Sequence, residues 1–326
     1  MRLTTETAKS ILNSIKGQKV LVLGDLMLDE YIFGEVSRIS PEAPVPIVRI
    51  TGERWTLGGA ANVASNLKTL GAEPLLIGII GNDEAGARVA KLLLKMGVGD
   101  SGLVKASTPT IIKTRVIGQH QQMLRIDREE PGQPSQDVTE KLIACIRQTM
   151  KDAAAVVVSD YAKGAVGRQV VDSIRGMARQ KGVPWIVDPK PAHKALYEGA
   201  TALTPNTSEL SQLAATPIKT DEEMTEASLK LVADLKLSGL LVTRSEKGMA
   251  LIRPDDDGQP VLIPTHAIEV YDVSGAGDTV IAAFTAALAA KASWQDAAML
   301  ANTAAGVVVG KMGTATTTPQ EILERL

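Results

Sequence analysis

The sequence predicts a doubly wound α/β fold, in which helices cover both faces of a mostly parallel sheet. Short apolar runs rich in valine, isoleucine and leucine alternate with polar or glycine-containing loops and with longer helical patterns, an order typical of this fold. A length of 326 residues and a hydrophobic content of 44% are enough for a sizeable core. Because no exact repeat or long flexible linker divides the chain, we expect residues 1–326 to form a single domain.

The first half of the chain predicts regular elements around two unusual segments. The regular elements cover residues 5–16, 19–24, 60–70, 73–81 and 83–96. Residues 30–55 and 109–127 alternate in the manner of strands, and the first of these segments contains three prolines between Pro41 and Pro46. Prolines at this spacing exclude a helix and a central strand. The two segments therefore predict a β flap, or lid, that projects from the main sheet.

The second half of the chain continues the alternation of strand and helix. Its regular elements cover residues 138–150, 154–159, 167–180, 184–187, 202–204, 222–236, 240–243, 249–253 and 261–264. The last two of these are expected to form a hairpin at the edge of the sheet, around a turn at residues 255–258. Residues 280–290 are apolar and rich in alanine, which favours a helix.

Charge and composition exclude several classes of function. A net charge of -2 and an aromatic content of 3% argue against a nucleic-acid partner. The single Cys145 excludes a disulfide framework and a cysteine-based zinc site, and three scattered histidines argue against a His-ligated metal. The longest apolar run, residues 280–290, is too short to span a bilayer, and the N-terminus has no apolar signal core. We therefore predict a soluble, cytoplasmic protein with no membrane partner.

The chemistry is predicted to centre on the stretch from Asp272 to Thr279. Here Gly275, Ala276 and Gly277 precede Asp278, and the apolar helix follows at once. The first turn of a helix has unpaired N–H groups at its positive end, and glycines let an anion approach them closely. A neighbouring carboxylate can accept the proton of a bound hydroxyl, so the stretch suits phosphoryl transfer to an alcohol. Taken alone, Asp278 could equally be an ordinary first-turn acid.

Polar residues follow most of the predicted strands. Because the carboxyl ends of parallel strands meet at one edge of a sheet, these residues are expected to line one crevice with the glycine motif. They are Asp25, Asp29, Asp160, Lys163, Asp188, Lys190, Asn206, Glu209, Thr243, Arg244 and Ser245. Asp25 and Asp29 suit sugar hydroxyls, Lys190 suits a phosphate, and Asn206 with Glu209 suits Mg²⁺ bound through water. Each of them taken singly could be a cap or turn residue.

Two weaker signals lie in the first half of the chain. Gly58 and Gly59 precede a helix start, where Asn62 offers a donor and an acceptor to a polyol. The second flap segment carries basic residues that could clamp a substrate phosphate or form a solvated strand face, namely Lys113, Arg115, Arg125 and Arg128. The apolar residues of the flap need cover, which predicts that the flap closes over a site or pairs with a second subunit.

Along nearly its whole length the chain resembles the ribokinase-like (PfkB) sugar kinases. Two signatures carry the resemblance: residues 58–86, which begin Gly-Gly-Ala-Ala-Asn, and residues 272–284, which contain Gly-Ala-Gly-Asp-Thr and Phe284. The resemblance implies a ribokinase-like fold and a carbohydrate kinase that uses ATP as co-substrate and Mg²⁺ as cofactor. It also implies that Asp278 is the catalytic base and that Gly275, Ala276 and Gly277 form the anion hole.

The resemblance also assigns residues to the two substrates. Asn206 and Glu209 match the family's Asn-x-x-Glu motif, which implies a role in placing Mg²⁺ and phosphate. The residues that match the nucleotide side are Thr243, Arg244, Ser245, Gly248 and Asn302, and Ser245 stands where the family more commonly has glycine. Together with the residues at strand ends and in the flap, the predicted sugar side comprises Asp25, Asp29, Gly58, Gly59, Asn62, Arg125, Asp160 and Lys163.

Within the family, residues 24–29, 38–46 and 159–164 resemble those of the D-glycero-D-manno-heptose-7-phosphate kinases. This implies phosphorylation of the anomeric hydroxyl of that sugar phosphate, in ADP-heptose and lipopolysaccharide core biosynthesis, by a homodimer paired through its flaps. No histidine lies in a His-x-Gly-His motif, so the adenylyltransferase activity fused to this kinase in many bacteria is expected to be absent. Two alternatives stay open: a kinase of another sugar or sugar phosphate, such as ribose or fructose 1-phosphate, and a non-catalytic nucleotide or sugar sensor.

Overall fold

A computed structural model describes residues 3–119, 121–130, 132–256, 259–265 and 270–326. The α-helices are α1 (Thr5–Ile15), α2 (Ala60–Thr69), α3 (Glu84–Lys95), α4 (Gln136–Met150), α5 (Arg168–Lys181), α6 (Thr207–Ala214), α7 (Asp221–Leu235), α8 (Ala276–Ala289), α9 (Trp294–Val308) and α10 (Pro319–Arg325). The strands are β1 (Lys19–Gly24), β2 (Leu26–Ile39), β3 (Pro46–Gly59), β4 (Glu73–Gly81), β5 (Leu103–Ala106), β6 (Ile111–Gly118), β7 (Gln121–Arg128), β8 (Ala155–Ser159), β9 (Trp185–Asp188), β10 (Ala202–Leu203), β11 (Gly239–Thr243), β12 (Met249–Ile252) and β13 (Val261–Ile263).

The main sheet has nine strands in the order β13-β12-β11-β10-β9-β8-β1-β4-β5. Neighbours from β11 to β5 run parallel, and β12 and β13 add an antiparallel edge. Apolar side chains alternate between the two faces, so that Val20 and Val22 enter one buried cluster whereas Leu21 and Leu23 enter the other. The sheet therefore carries a hydrophobic core on each face, which confirms the predicted doubly wound fold.

The two flap segments form a separate four-stranded sheet in the order β3-β2-β6-β7. β2 pairs antiparallel with β3 and parallel with β6, and β6 pairs antiparallel with β7. The flap begins closer to the core than predicted, because β2 starts at Leu26 and β3 runs on to Gly59. The first residues of β2 are buried, whereas all eight residues of β7 are exposed. The flap thus joins the main body at one end and meets solvent at the other.

Several elements of the structure were not predicted from the sequence. Two predictions concern residues that lie outside the described part of the chain. The short edge strand β5 and the helices α6 and α9 have patterns too brief or too uniform in alanine to stand out in the sequence. The hairpin of β12 and β13 is present, but residues 257 and 258 of its predicted turn lie outside the described residues. His120 and His266 lie outside them as well.

Helix α8 is the central helix of one core. Every residue from Asp278 to Ala289 is buried, because the helix packs against the sheet on one side and against α2 and α9 on others. This explains why the sequence there is apolar all round. Among the described residues, no helix combines the length and apolarity needed to cross a membrane. Asp278 is the charged residue in the first buried turn of α8. It lies at the sheet edge where the parallel strands end.

Candidate active site

The site begins with the turn that starts α8. Gly275 has φ 77°, in the left-handed region, and a Cβ there would lie 2.6 Å from Nδ2 of Asn62, so glycine is required at this position. The N–H of Ala276 bonds to the carbonyl oxygen of Val273 at 3.2 Å. The N–H groups of Gly277 and Asp278 have no partner among the described residues. A pair of free N–H groups at a helix N-terminus can bind an anion.

Asp278 lies beside these N–H groups and is almost completely buried. Its Oδ2 accepts a hydrogen bond from Nδ2 of Asn62 at 2.8 Å, and its Oδ1 accepts one from the hydroxyl of Tyr161 at 3.0 Å. Burial raises the pKa of Asp278 to about 7 and the Asp29 carboxylate adds to the increase, although the two hydrogen bonds and the Lys113 ammonium lower it. A carboxylate that titrates near neutral pH is well matched to the work of a general base.

Asn62 contacts the base instead of presenting a free amide to a ligand. Besides donating to Asp278, it accepts hydrogen bonds from Nδ2 of Asn66 on Oδ1 at 3.4 Å and on its backbone carbonyl oxygen at 3.0 Å. Its amide is therefore occupied at both ends in this structure. A direct contact with a sugar, as predicted from the sequence, could use only the second hydrogen of the NH₂ group or the second lone pair of Oδ1.

Asp25 holds a loop in place. Its carboxylate accepts hydrogen bonds from the backbone N–H groups of Tyr161, Lys163 and Ala165, at 2.9, 3.0 and 2.9 Å. Burial raises the pKa of Asp25, and these three bonds oppose the increase. The loop after β8 is thereby fixed to the end of β1, which sets the position of the Tyr161 ring. The predicted contact between Asp25 and sugar hydroxyls would have to share a carboxylate that already has three donors.

The same loop is anchored from its other side by Asp160. The buried carboxylate of Asp160 contacts Nδ1 of His193 and the hydroxyl of Tyr197, each at 2.7 Å, and accepts the N–H of Ala162 at 2.7 Å. The side chain is fully inaccessible to solvent. Asp160 therefore acts on the loop and not on the crevice, which differs from its predicted place on the sugar side. Lys163 is paired with Glu129 at 2.5 Å.

Asp29 forms the link between the main body and the flap. Its carboxylate pairs with the guanidinium of Arg115 on β6, which lies 5.4 Å from the ring centroid of Tyr31. A Cβ at Gly58 would overlap the carboxylate of Asp29, and Gly59 has φ 57°. These two glycines are thus needed for close packing of β3 against β2, whether or not they also approach a ligand.

Lys113 on β6 is a half-buried cation that faces the site from the flap. Its Nζ lies 5.5 Å from the ring centroid of Tyr161, and it forms no ion pair within the part of the chain that the structure describes. Burial lowers the pKa of Lys113, and the charges of Arg125 and Lys163 lower it as well. The carboxylates of Asp29 and Asp127 raise it. Arg125 itself is half exposed and bonds to Asp127 at 2.9 and 3.0 Å.

The nucleotide side predicted from the sequence forms a second group along the same sheet edge. Asn206 forms a parallel bridge with Thr243, so the ends of β10 and β11 lie together. Oδ1 of Asn206 accepts the N–H of Glu209, and Oε2 of Glu209 accepts the N–H of Asn206, both at 2.9 Å. This is a capping box at the start of α6, so the motif has a structural role in addition to any binding role.

Asp188 lies between the two groups and is affected by a carboxylate of each, Asp278 and Glu209. Burial raises the pKa of Asp188 well above its ordinary value, and the charges of Asp278 and Glu209 raise it further. Burial also raises the pKa of Glu209, and Lys190 opposes this increase. A divalent cation would be favoured among such oxygens. Among the described residues, no three acidic, histidine or cysteine side chains lie close enough together to hold a metal ion directly.

The loop after β11 keeps the backbone shape that a glycine would give. Ser245, where the family more commonly has glycine, has φ 51°, and Gly248 has φ 82° with no room for a Cβ. Arg244 is buried and pairs with Asp221 at 2.5 Å beside a cavity of about 230 Å³. Asn302, predicted near the nucleotide base, is buried on α9 and donates to the carbonyl oxygen of Pro264 at 2.8 Å.

Two residues of the site were missed in the sequence, and a third was named without a role of its own. Tyr161 bonds to Asp278, Asn66 bonds to Asn62, and Lys113 was named only as one of several flap cations. A signal existed for Asn66, which lies one helical turn after Asn62 and makes a polar stripe on an otherwise apolar helix. Tyr161 follows a strand end, but no pattern shows which way its ring points.

The chain is similar in sequence to known carbohydrate kinases. The sequence pattern described as pfkB family carbohydrate kinase matches residues 18–321. The chain is 47% identical over 304 residues to the bifunctional protein HldE of Actinobacillus pleuropneumoniae, and 45% identical over 307 residues to that of Haemophilus influenzae. These alignments cover 93% and 94% of this chain but 62% and 63% of the relatives. The chain thus spans less than two thirds of the length of these relatives.

Solved structures share the fold at much lower identity. Phosphofructokinase-2 from Escherichia coli, in complex with potassium, superposes with a TM-score of 0.80 at 20% identity, covering 94% of this chain and 97% of that protein. Ribokinase from Arabidopsis thaliana, in complex with ribose and ATP, gives a TM-score of 0.74 at 23% identity, covering 95% and 98%. Likeness at this level of identity shows the architecture alone.

Proposed function

This chain belongs to the pfkB family of carbohydrate kinases and is an ATP-dependent sugar kinase, and from that premise we propose its substrate and the roles of its residues. The proposed reaction transfers the γ-phosphoryl group of ATP to the anomeric hydroxyl of D-glycero-D-manno-heptose 7-phosphate, giving the 1,7-bisphosphate, a step towards ADP-heptose and the lipopolysaccharide core. The heptose substrate is supported by 47% identity to relatives named HldE and by the motifs at residues 24–29, 38–46 and 159–164.

The observation that carries the catalytic proposal is the placement of Asp278. A buried carboxylate with a pKa of about 7 lies directly beside free N–H groups at the start of α8. Asp278 removes the proton of the sugar hydroxyl as its oxygen bonds to the γ-phosphorus of ATP, and the bond from that phosphorus to the bridging oxygen of ADP breaks. The turn formed by Gly275, Ala276 and Gly277 presents the N–H groups of Gly277 and Asp278, which stabilise the negative charge that develops on the transferred group.

Mg²⁺ is proposed as the cofactor, with Glu209 as its ligand through water and Asn206 beside it. When bound, it would supply positive charge that offsets the phosphate oxygens and the nearby carboxylates of Asp188 and Glu209. The nucleotide is proposed to lie along the ends of β10 and β11. The residues proposed to contact it are Lys190, Asn206, Glu209, Thr243, Arg244, Ser245, Gly248 and Asn302.

The sugar is proposed to lie between Asp278 and the flap. Asp29, Gly58, Gly59, Asn62, Arg125 and Lys163 border this space, while Asp25 and Asp160 act through the loop that carries Tyr161. We further propose that residues 1–326 work as one kinase domain and that two copies pair through their flaps. The cytoplasmic location stays a prediction.

A coupled assay of ADP release tests the proposed substrate. The panel contains D-glycero-D-manno-heptose 7-phosphate, the same heptose without phosphate, ribose, fructose 1-phosphate and fructose 6-phosphate. We expect the highest kcat/KM with the heptose 7-phosphate, together with a new phosphorus NMR signal from an anomeric phosphate. Asp278→Asn serves as the control for background ATP hydrolysis. Preference for another sugar would replace the heptose assignment, and absence of ADP release with every sugar would favour a non-catalytic sensor.

A further inference from the structure

We propose that Asn66 and Thr279 are positioning residues, which fix the side-chain amide of Asn62 so that its NH₂ group faces Asp278. The three residues and Asp278 form a continuous hydrogen-bonded chain between α2 and α8. The inference rests on the proposed role of Asp278 as the base. Its test includes a measurement on the Asp278 carboxyl group that does not depend on turnover.

The chain of hydrogen bonds has three links. The hydroxyl of Thr279 donates to Oδ1 of Asn66 at 3.0 Å. Nδ2 of Asn66 lies 3.4 Å from Oδ1 of Asn62 and 3.0 Å from its backbone carbonyl oxygen. Nδ2 of Asn62 then donates to Oδ2 of Asp278 at 2.8 Å. All four side chains are buried, with Asn66 and Thr279 at 0% exposure, so water cannot replace any link.

The direction of each link follows from the one before it. The backbone carbonyl oxygen of Asn62 can only accept, so it fixes the NH₂ group of Asn66 towards Asn62 and leaves Oδ1 of Asn66 to accept from the Thr279 hydroxyl. The same NH₂ group also faces the side-chain amide of Asn62, which places Oδ1 of Asn62 towards Asn66. The remaining NH₂ group of Asn62 must therefore face Asp278. Reversing one amide would set two acceptors or two donors against each other in a dry environment, which is strongly unfavourable.

The direction matters for the chemistry because the two ends of an amide act oppositely on a carboxyl group. An NH₂ group donates to a carboxylate and stabilises the ionised form, which can accept a proton. A carbonyl oxygen would instead accept from a protonated carboxyl and stabilise the form that cannot act as a base. The backbone N–H of Thr279 also donates to the carbonyl oxygen of Gly275 at 3.1 Å, so Thr279 connects the chain to the turn that binds the anion.

Other groups also act on Asp278, and they come from different elements. The hydroxyl of Tyr161 donates to it from the loop after β8, Asp29 faces it from β2, Lys113 from β6, and Asp188 from the end of β9. None of them takes part in the chain between α2 and α8. Substitutions within the chain should therefore change the titration of Asp278 while these contributions stay constant.

The test compares two substitutions at Thr279. Thr279→Val keeps the shape and removes the hydroxyl, whereas Thr279→Ser keeps the hydroxyl. We expect the acid limb of kcat/KM in Thr279→Val to move up by about 0.5 to 1 pH unit, which is roughly a three- to tenfold loss at pH 6.5 that disappears by pH 9. Thr279→Ser should restore the wild-type profile. A ¹³C carboxyl titration, with the Asp278 signal assigned from Asp278→Asn, should show the same shift without substrate.

A matched control lies on the same helix. Thr285 is also fully buried on α8, but its hydroxyl has no partner among the described residues. Thr285→Val should leave both the pH profile and the carboxyl titration unchanged. A loss in Thr279→Val that is equal at every pH, or no shift of the Asp278 signal, would overturn the positioning role. If wild-type protein phosphorylates no sugar but the signal still shifts, the proposed function fails and the positioning role stands.

A second variant protects the test against misfolding. Asn66→Leu removes the donor to Asn62 and adds no charge. It should raise the pH of the acid limb at least as far as Thr279→Val, because the amide of Asn62 loses its fixed direction. The melting temperature of each variant shows whether it is folded. A folded Asn66→Leu with the wild-type pH profile would contradict the proposal.

Discussion

The proposed site lies between two regions, a wall formed by α2 and α8 and the flap opposite it. The two regions differ in how many of their polar groups already have a partner. In the wall, Asn62, Asn66, Thr279 and Asp278 are buried and hydrogen-bonded to one another. In the flap, every residue of β7 is exposed and Lys113 forms no ion pair within the described part of the chain. The base is thus held in place before substrate arrives, whereas the flap presents groups that still need a partner.

This difference separates two kinds of work. A preorganised base and anion site act on the chemical step, because no group has to be reoriented as charge develops. A flap with free cations and exposed apolar residues acts on binding and assembly, where a ligand or a second subunit supplies the missing contacts. Substitutions in the wall should therefore lower kcat, and substitutions in the flap should change KM or association.

The largest effect is expected from Asp278→Asn, which removes the base and leaves the wall in place. We expect kcat to fall by at least about 10²-fold, the usual scale for loss of a general base, with the Kd for ATP little changed. Steady-state turnover and a direct nucleotide-binding measurement together check both parts. Turnover close to wild type would contradict the assignment of Asp278, and loss of ATP binding would show that the substitution disturbed more than the base.

The next largest effect is expected on the flap, from Lys113→Met. A half-buried ammonium without a carboxylate partner suits a charged oxygen of the substrate, and a charge-assisted hydrogen bond contributes about 1.5–3 kcal/mol. KM for the sugar phosphate should therefore rise roughly 10- to 100-fold, while KM for ATP stays within about twofold. Initial rates measured over both substrate concentrations check this. Lys105→Met, at an exposed position on β5, is the control.

A fall in kcat with an unchanged KM would contradict this interpretation of Lys113. It would mean that Lys113 acts on the phosphoryl group during its transfer. The flap would then contribute to the chemical step, as the wall does. Assaying the variant with the heptose that lacks the 7-phosphate sharpens the result further. If Lys113 binds that phosphate, the variant and the wild type should use the unphosphorylated sugar equally well.

Much of the fold and the centre of the site could be predicted from the sequence, and the reasons are local. β4 was predicted with the bounds that the structure gives, because its apolar run ends at glycine on one side and begins after a turn on the other. Asp278 was found because its glycines, its charge and its apolar helix are contiguous. The left-handed backbone at Ser245 could not be predicted, since serine adopts it only when the surrounding loop requires it.

The partners of the site residues could not be predicted, because they depend on distant parts of the chain. Asn62 and Asp278 are 216 positions apart, and nothing in either segment points to the other. Asp25 was expected to bind sugar hydroxyls, yet backbone N–H groups 136 to 140 positions away take its carboxylate. Any residue except proline can supply a backbone N–H, so the sequence does not mark such a contact.

The pH dependence of kcat/KM tests whether the base in the wall is as buried as the structure shows. The pKa of Asp278 is raised to about 7, so below that pH the base is protonated and inactive. We expect kcat/KM to fall by about tenfold from pH 8 to pH 6. The rate profile with saturating ATP measures this, and Asp278→Asn should lack the limb near pH 7. An acid limb near pH 4 would mean that substrate or solvent reaches the carboxylate and removes the effect of burial.

The smallest effect on catalysis is expected at the outer face of the flap, where pairing of two copies is proposed. In the register of β6 and β7, Arg125 lies opposite Arg115 and Ile126 opposite Thr114, so Ile126 points away from the face that carries Arg115. Ile126 is 51% exposed and β7 is an edge strand. An exposed edge strand has unpaired N–H and C=O groups, so it tends to pair with another strand unless it is covered.

Ile126→Asp should therefore convert a dimer to a monomer in light scattering at micromolar concentration, while kcat/KM changes by no more than about threefold. Leu94→Asp, at an exposed apolar position on α3, is the matched control and should leave the mass unchanged. A monomeric wild type would contradict flap pairing. A monomer of Ile126→Asp with activity lowered a hundredfold would instead show that the second subunit completes the site, and the wall would then be only part of the preorganised machinery.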